Sequence, residues 1–199
     1  AMLPVTEAVA EHRLTLSEVL DSLVSDGQVP RATADQLIAE RRMHRGDHHP
    51  LVVIADQKWR AQQPPQKVLS LEWLMEWLAG KTAMDYYHID PLKINFAAVT
   101  DIMSNHYAAR FRILPVEVNT REAVIATAEP YVKEWEKELR QILRLDIRRV
   151  LANPLDISRF QVEFYNLAKS IKGAERTSEQ RSGIGNFERF NAMGIVGTH

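Results

Sequence analysis

Two adjacent β-prone runs constrain this chain most, because nearly every other periodic stretch reads as helix. Arg110 to Val118 and Ala123 to Thr127 alternate or run apolar on either side of Asn119-Thr120-Arg121-Glu122, the pattern of a hairpin. Before the hairpin, Ser70 caps a helix carrying Leu71, Leu74, Met75 and Leu78, which Gly80 is expected to end. A short strand at about Tyr86 to Ile89 follows and stops at Asp90-Pro91. Ile94, Ala98, Val99 and Ile102 then mark a helix to about His106. After the hairpin, Glu129-Pro130 opens a helix with Val132, Trp135, Leu139, Ile142 and Leu143 on one face. Ile147 to Leu151 reads as a strand, and Asn153-Pro154-Leu155-Asp156 opens a last helix to about Ile171. The order αβαββαβα predicts an α+β fold, a small mixed sheet covered by helices on one side.

The residues ahead of this block are patterned differently. Thr15 lies three residues before Glu18, a capping-box spacing, and Leu16, Val19, Leu20 and Leu23 form one stripe before Gly27. Pro30, Thr33 and Gln36 open a second helix with Leu37, Ile38 and Met43 on its apolar face and Gly46 at its end. Leu51-Val52-Val53-Ile54 is a β-prone run, and Gln62-Gln63-Pro64-Pro65-Gln66 predicts an extended, semi-rigid connector. Four segments result: a helical subdomain over 1–46, a linker over 47–68, the α+β domain over 69–171, and a flexible linker or tail over 172–199. Gly173, Ser178, Ser182, Gly183 and Gly185 among mixed charges carry the last expectation, and 191–199 shows no core-forming pattern. The chain is expected to be part of a longer protein, with Ala1 ahead of Met2 an expression remnant.

Charge and cysteine content narrow the function classes. Lys plus Arg number 25 against 26 Asp plus Glu, so no global basic excess marks a dedicated nucleic-acid binder. With no Cys, thiol catalysis, disulfides and thiolate metal sites are excluded. No uncharged apolar run approaches a membrane span, and Glu7 and Glu11 interrupt any signal-peptide core.

Four groups could carry chemistry. Gly80-Lys81-Thr82 matches the end of a phosphate-binding loop, but the position needing the earlier glycine is Met75, inside an amphipathic helix. That helix would turn its negative dipole end toward a phosphate. His44, His48 and His49 cluster with Asp47, and adjacent histidines on a loop diverge, so a solvated loop is expected rather than a metal site. Arg140, Arg144, Arg148 and Arg149 span a helix end and the next strand, and read as local stabilisation or as a docking patch for an acidic partner. Ser17, Ser70 and Ser158 sit near helix starts, where capping explains them. No catalytic, cofactor-binding or metal-ligating residue is assigned, and no cofactor is expected.

The motifs from Leu69 onward occur in an order that resembles a known family. They are Leu71-Glu72-Trp73-Leu74 to Leu78-Ala79-Gly80, Tyr87-His88-Ile89-Asp90-Pro91-Leu92-Lys93-Ile94 and Arg112-Ile113-Leu114-Pro115-Val116. Val124-Ile125-Ala126-Thr127-Ala128-Glu129-Pro130, Leu145-Asp146-Ile147 and Val150-Leu151-Ala152-Asn153-Pro154-Leu155-Asp156-Ile157 complete the series. This resembles the N-terminal domain of the bacterial traffic ATPases of type II secretion and type IV pilus assembly, over about half the chain. Residues 14 to 46 resemble the small helical subdomain that precedes it there.

The resemblance implies a regulatory and docking role. The expected partner is the cytoplasmic domain of an inner-membrane platform protein, at the inner face of that membrane, without direct insertion and without nucleic acid. The fragment itself is then not an enzyme, and hexamers form only through a motor domain elsewhere. One branch of the family binds cyclic di-GMP through Arg-Leu-Gly and a further glycine seven residues on. Gly27 fits that glycine, but Glu18-Val19-Leu20 occupies the first three positions, and Arg13-Leu14-Thr15 lies five residues too early. A cyclic di-GMP receptor domain is therefore the alternative reading.

Overall fold

The computed structural model describes residues 10–44 and 46–182, with side chains as far as Glu175. The expectation for residues 191–199 lies outside the described residues. Contacts divide the chain into two compact units, whose described parts are residues 10–86 with 129–134, and residues 87–128 with 135–182.

The first unit is helical. Helix α1 (Leu16–Ser25) starts at the expected capping box: Thr15 accepts from the Glu18 amide while Glu18 accepts from the Thr15 amide. Val19, Leu20 and Leu23 are its buried stripe. Gly27 turns the chain away at φ +73°, a conformation that a side chain would strain. Helix α2 (Arg31–Arg41) follows Pro30 and buries Ala34 and Leu37, whereas Met43, expected on its apolar face, is exposed.

Helix α3 (Pro50–Asp56) corrects the β-prone reading of Leu51 to Ile54. Pro50 sits at the first helical position, where its missing N–H costs nothing, and the His49 ring accepts from the Leu51 amide. Leu51, Val53 and Ile54 are all buried, so packing overrides the β preference of the branched residues. The diproline segment also differs from an extended connector. Arg60 and Val68 pair as an antiparallel bridge, Ala61 donates to Lys67 and Gln66 to Gln63, and the loop closes on itself. The Gln62 amide donates to the Gln28 carbonyl, which ties that loop beside the end of α1.

Helix α4 (Leu71–Thr82) has its Ser70 cap and buries Leu74, Met75 and Leu78 as the pattern predicts. It does not stop at Gly80. The helix runs through it and turns at Ala83, which takes the left-handed conformation at φ 53°.

The second unit holds the sheet. Strands β1 (Ile113–Val118) and β2 (Glu122–Thr127) form the expected antiparallel hairpin, with a register shift between Pro115 and Glu117. Strand β3 (Asp146–Leu151) lies parallel to β2, from Glu122 opposite Asp146 to Thr127 opposite Leu151. The three-stranded mixed sheet has the order β1-β2-β3, so the α+β class holds. The strand expected at Tyr86 to Ile89 does not form. Tyr87 donates to the Leu151 carbonyl, and Asp90 then caps a 3₁₀ turn over Pro91–Lys93. Tyr87 and Ile89 are only partly buried against the core, which leaves little packing to hold a fourth strand.

The helix expected from Ile94 to His106 is two helices, α5 (Phe96–Asp101) and α6 (Asn105–Phe111). Asn95 and Ser104 each accept from an amide three residues on, so each starts a helix. The first strand consequently begins at Ile113, after Arg112 turns the chain at φ 53°. Helix α7 (Glu134–Leu143) begins later than Glu129-Pro130 suggested; Trp135 and Leu139 are buried but Ile142 is exposed.

Helix α8 (Pro154–Ser182) buries Ile157, Phe160 and Phe164, whose two rings stack at 5.6 Å. They join Leu114, Val116, Val124, Ala126 and Val150 in one core over the sheet. The helix continues past Lys172 to Ser182, through a segment expected to be a flexible linker. Ala174, Glu175 and Arg176 favour helix, and a single Gly173 costs only about 1 kcal/mol.

Candidate functional site

The loop from Glu129 to Glu134, between β2 and α7, belongs to the first unit and is gripped there by the strap of residues 11–14. The Leu14 amide donates to Glu129 Oε1 at 3.0 Å, and the Lys133 amide donates to Glu11 Oε1 at 2.7 Å. The His12 amide faces the Tyr131 carbonyl at 3.4 Å, and the two rings stack with centroids 5.1 Å apart. On the other side, His49 Nε2 stands 3.8 Å from Glu129 Oε1, each side chain only 10% exposed. A carboxylate this buried is costly unless hydrogen-bond donors meet it, as the Leu14 amide does here.

His12 completes the cluster. Its Nδ1 lies 2.6 Å from the Ala10 carbonyl, and its Nε2 lies 2.9 and 3.0 Å from the two Glu18 oxygens. These acceptors, the Ala10 carbonyl first and Glu18 second, raise the His12 pKa above the ordinary histidine value. Glu18 thus serves two neighbours, because it also closes the capping box of α1.

The sequence candidates fall elsewhere, and the structure explains each. Lys81 is not a phosphate ligand in waiting: its Nζ is 2.6 Å from Asp26 Oδ1, and the Trp77 indole donates to Asp26 Oδ2 at 2.8 Å. Together Lys81 and Trp77 hold the Asp26 carboxyl below its usual range. Thr82 donates its hydroxyl back to the Leu78 carbonyl. The position therefore closes the end of α1 onto α4.

The histidine loop is not uniformly solvated. His44 bonds the Glu40 carbonyl and His48 is exposed, but His49 is nearly buried and caps α3. Among the described residues no group of three His, Asp or Glu stands close enough to hold a metal ion.

The arginine group lies among acids. Arg140 and Arg149 both reach Glu136, at 3.1 and 3.3 Å. Arg148 stands 3.7 Å from Glu122 and 4.0 Å from Glu117. Arg140, Arg148 and Arg149 are thus matched by local acids, which weakens the case for an acid-seeking patch. Gly27 has the left-handed φ that its motif position asks for, but the Gln63 side chain covers it: a Cβ there would meet Gln63 Nε2 at 2.8 Å.

Glu129 was missed as anything but a helix start. The available signal was an acid placed directly after the apolar run Ala123 to Ala128 and before a proline, where a solvated helix turn is an unlikely neighbour for six apolar or small residues.

The family model for the MshEN domain matches residues 83–171. Residues 83–171 are thus similar to an MshEN domain. The MshEN domain is the kind of N-terminal domain carried by pilus and secretion ATPases, and it spans the sheet, α5 to α7, the gripped loop and most of α8. The chain is 30% identical over 163 residues to the type IV pilus assembly ATPase TfpB of Acinetobacter baylyi (strain ATCC 33305 / BD413 / ADP1). That alignment covers 80% of this chain and 28% of the relative, so the chain spans little more than a quarter of that protein. A solved structure of MshE with cdg aligns at a TM-score of 0.46 and 18% identity, covering 77% of this chain and all of that one. Among the described residues no helix is long and apolar enough to cross a membrane.

Proposed function

We propose that this chain is a regulatory and docking region of a type IV pilus assembly ATPase, which couples the motor to the cytoplasmic part of an inner-membrane platform protein. The observation that carries the reading is the MshEN match combined with 30% identity to a pilus assembly ATPase over a segment that is 28% of that relative. Motor chemistry then belongs to another part of the parent protein. The sequence that most resembles a phosphate loop here supports this, since Lys81 is engaged by Asp26 at the C-terminal end of a helix. Localisation at the inner membrane through that partner follows from the same reading.

A cyclic di-GMP site built on the first helix receives no support from the side chains there. Glu18 would set a carboxylate against a phosphate, and it is already committed to Thr15 and His12. Gln63 covers the glycine that a flat base would approach. Calorimetry separates the two readings. Saturable binding of the platform protein's cytoplasmic part, at about micromolar affinity or roughly −8 kcal/mol, with no heat from cyclic di-GMP, is the expected result. Cyclic di-GMP binding of that strength without platform binding would overturn it.

A further inference from the structure

The grip on the loop 129–134 depends on a histidine whose two ring nitrogens both face acceptors. A neutral imidazole carries one N–H and can satisfy only one of them. At His12, Nδ1 meets the Ala10 carbonyl and Nε2 meets the Glu18 carboxylate. Only the imidazolium donates to both. The same ring lies flat against Tyr131, at 13° between planes, where a positive charge over the aromatic face is favourable.

We propose that the strap 11–14 is a proton-operated latch: protonated His12 holds the loop 129–134, and loss of its second proton loosens that hold. The loop is continuous with β2 and α7, so the latch ties the strap ahead of α1 to the MshEN segment's own chain.

The surrounding charges fit this role. Glu18 on α1 and Glu129 in the loop both favour a positive His12. Glu11 takes the Lys133 amide, and Arg13 stands 3.7 Å from Asp47. His49 works in the opposite sense. Its Nδ1 accepts from the Leu51 amide, so its proton sits on Nε2, facing Glu129. A second proton on His49 would cost the cap of α3, so His49 cannot tighten the grip by titrating. At His12, by contrast, both ring nitrogens are turned to acceptors.

The sign follows from the raised His12 pKa. The held state binds the proton more tightly than the released one, so the stabilisation is complete below the ordinary value of about 6.5 and disappears as pH climbs through the raised value. The latch therefore loosens as pH rises above the ordinary histidine range.

Hydrogen exchange on the whole chain between pH 6.0 and 8.5, corrected for intrinsic rates, tests this. Protection of the Leu14 and Lys133 amides should fall severalfold across that range, while the core amide of Leu20 stays constant. His12→Asn should give low, pH-independent protection at Leu14 and Lys133. Constant protection in the unaltered chain, an undiminished fall in His12→Asn, or a parallel fall at Leu20 would each overturn the latch. A second measurement stands if the variant does not fold: the His12 ring carbon shift should titrate at higher pH in the folded chain than in urea. An equal or lower midpoint would sink the proposal.

Discussion

Each unit has an apolar core, and the two differ in what supplements it. In the second, an apolar layer does the work: Leu114, Val116, Val124, Ala126 and Val150 from the sheet meet Ile157, Phe160 and Phe164 from α8. In the first, an apolar core that includes Leu20, Leu23, Leu51, Ile54, Leu74 and Met75 is supplemented by polar ties between distant residues. Asp26 reaches Trp77 and Lys81, Gln62 reaches Gln28, and Glu129 reaches Leu14. Apolar burial is non-directional and scales with area, so it tolerates local rearrangement. A polar tie is worth little net when made, and its buried partner is expensive when left alone. The second unit should therefore lose stability chiefly by volume, and the first both by volume and by orphaned groups.

The sharpest way to break the contrast is Phe164→Ala. The ring is almost fully buried and stacked on Phe160, so its removal should cost about 3–5 kcal/mol from lost transfer energy and the cavity left behind. Chemical denaturation should show the midpoint of the sheet's unfolding shifting strongly. A loss under about 1 kcal/mol would mean that the α8 face is not the principal cover of the sheet.

That same contrast explains what the residues disclosed in advance. Apolar periodicity exposed the hairpin, the stripe of α1, the Leu74-Met75-Leu78 face of α4 and the strand at Ile147 to Leu151, because those positions answer to burial. Leu51 to Ile54 misled because a short apolar run has no period, and its helical form rests on Pro50 and the His49 cap. The gripped loop was out of reach for another reason. Leu14 and Glu129 lie 115 residues apart, and nothing local to either one announces the other. The resemblance to the traffic ATPases placed the Ala128-Glu129-Pro130 motif in its family but gave it no partner.

Asp26→Asn probes a polar tie directly. The asparagine keeps the shape but loses the charge that Lys81 meets at 2.6 Å. The Asp26 side chain is 27% exposed, so the loss should be about 1 kcal/mol, a charged hydrogen bond discounted for solvent. Its pH dependence adds a signature. Because Lys81 and Trp77 lower the Asp26 pKa, its stabilisation is present above the ordinary aspartate value of about 3.9 and is lost as pH falls through the lowered value. Thermal melts at pH 7 should separate the two proteins, and melts well below the ordinary aspartate value should narrow the gap. An equal gap at both pH values would assign the effect to packing instead of charge.

The smallest expected effect has the opposite sign and bears on the end of α4. The sequence pattern places the stop of that helix at Gly80, yet the helix continues through Thr82 and turns only at Ala83. Gly80 needs no left-handed backbone, and an ideal Cβ built on it meets nothing within 4 Å. Glycine there carries the entropic cost of a helix interior with no compensating close approach. Gly80→Ala should therefore stabilise the first unit by about 0.5–1 kcal/mol, less if the last turn frays. Lys81 and Asp26 should keep their ion pair, because the next residue's helical backbone is unchanged or firmer. Denaturant titrations of Gly80→Ala, alone and combined with Asp26→Asn, separate the contributions. If the gain vanishes in the double variant, the alanine acts by firming the Lys81–Asp26 tie; if it persists in full, helix propensity alone supplies it. A loss of stability would show that glycine at this position serves a backbone requirement that a continuous α4 does not have.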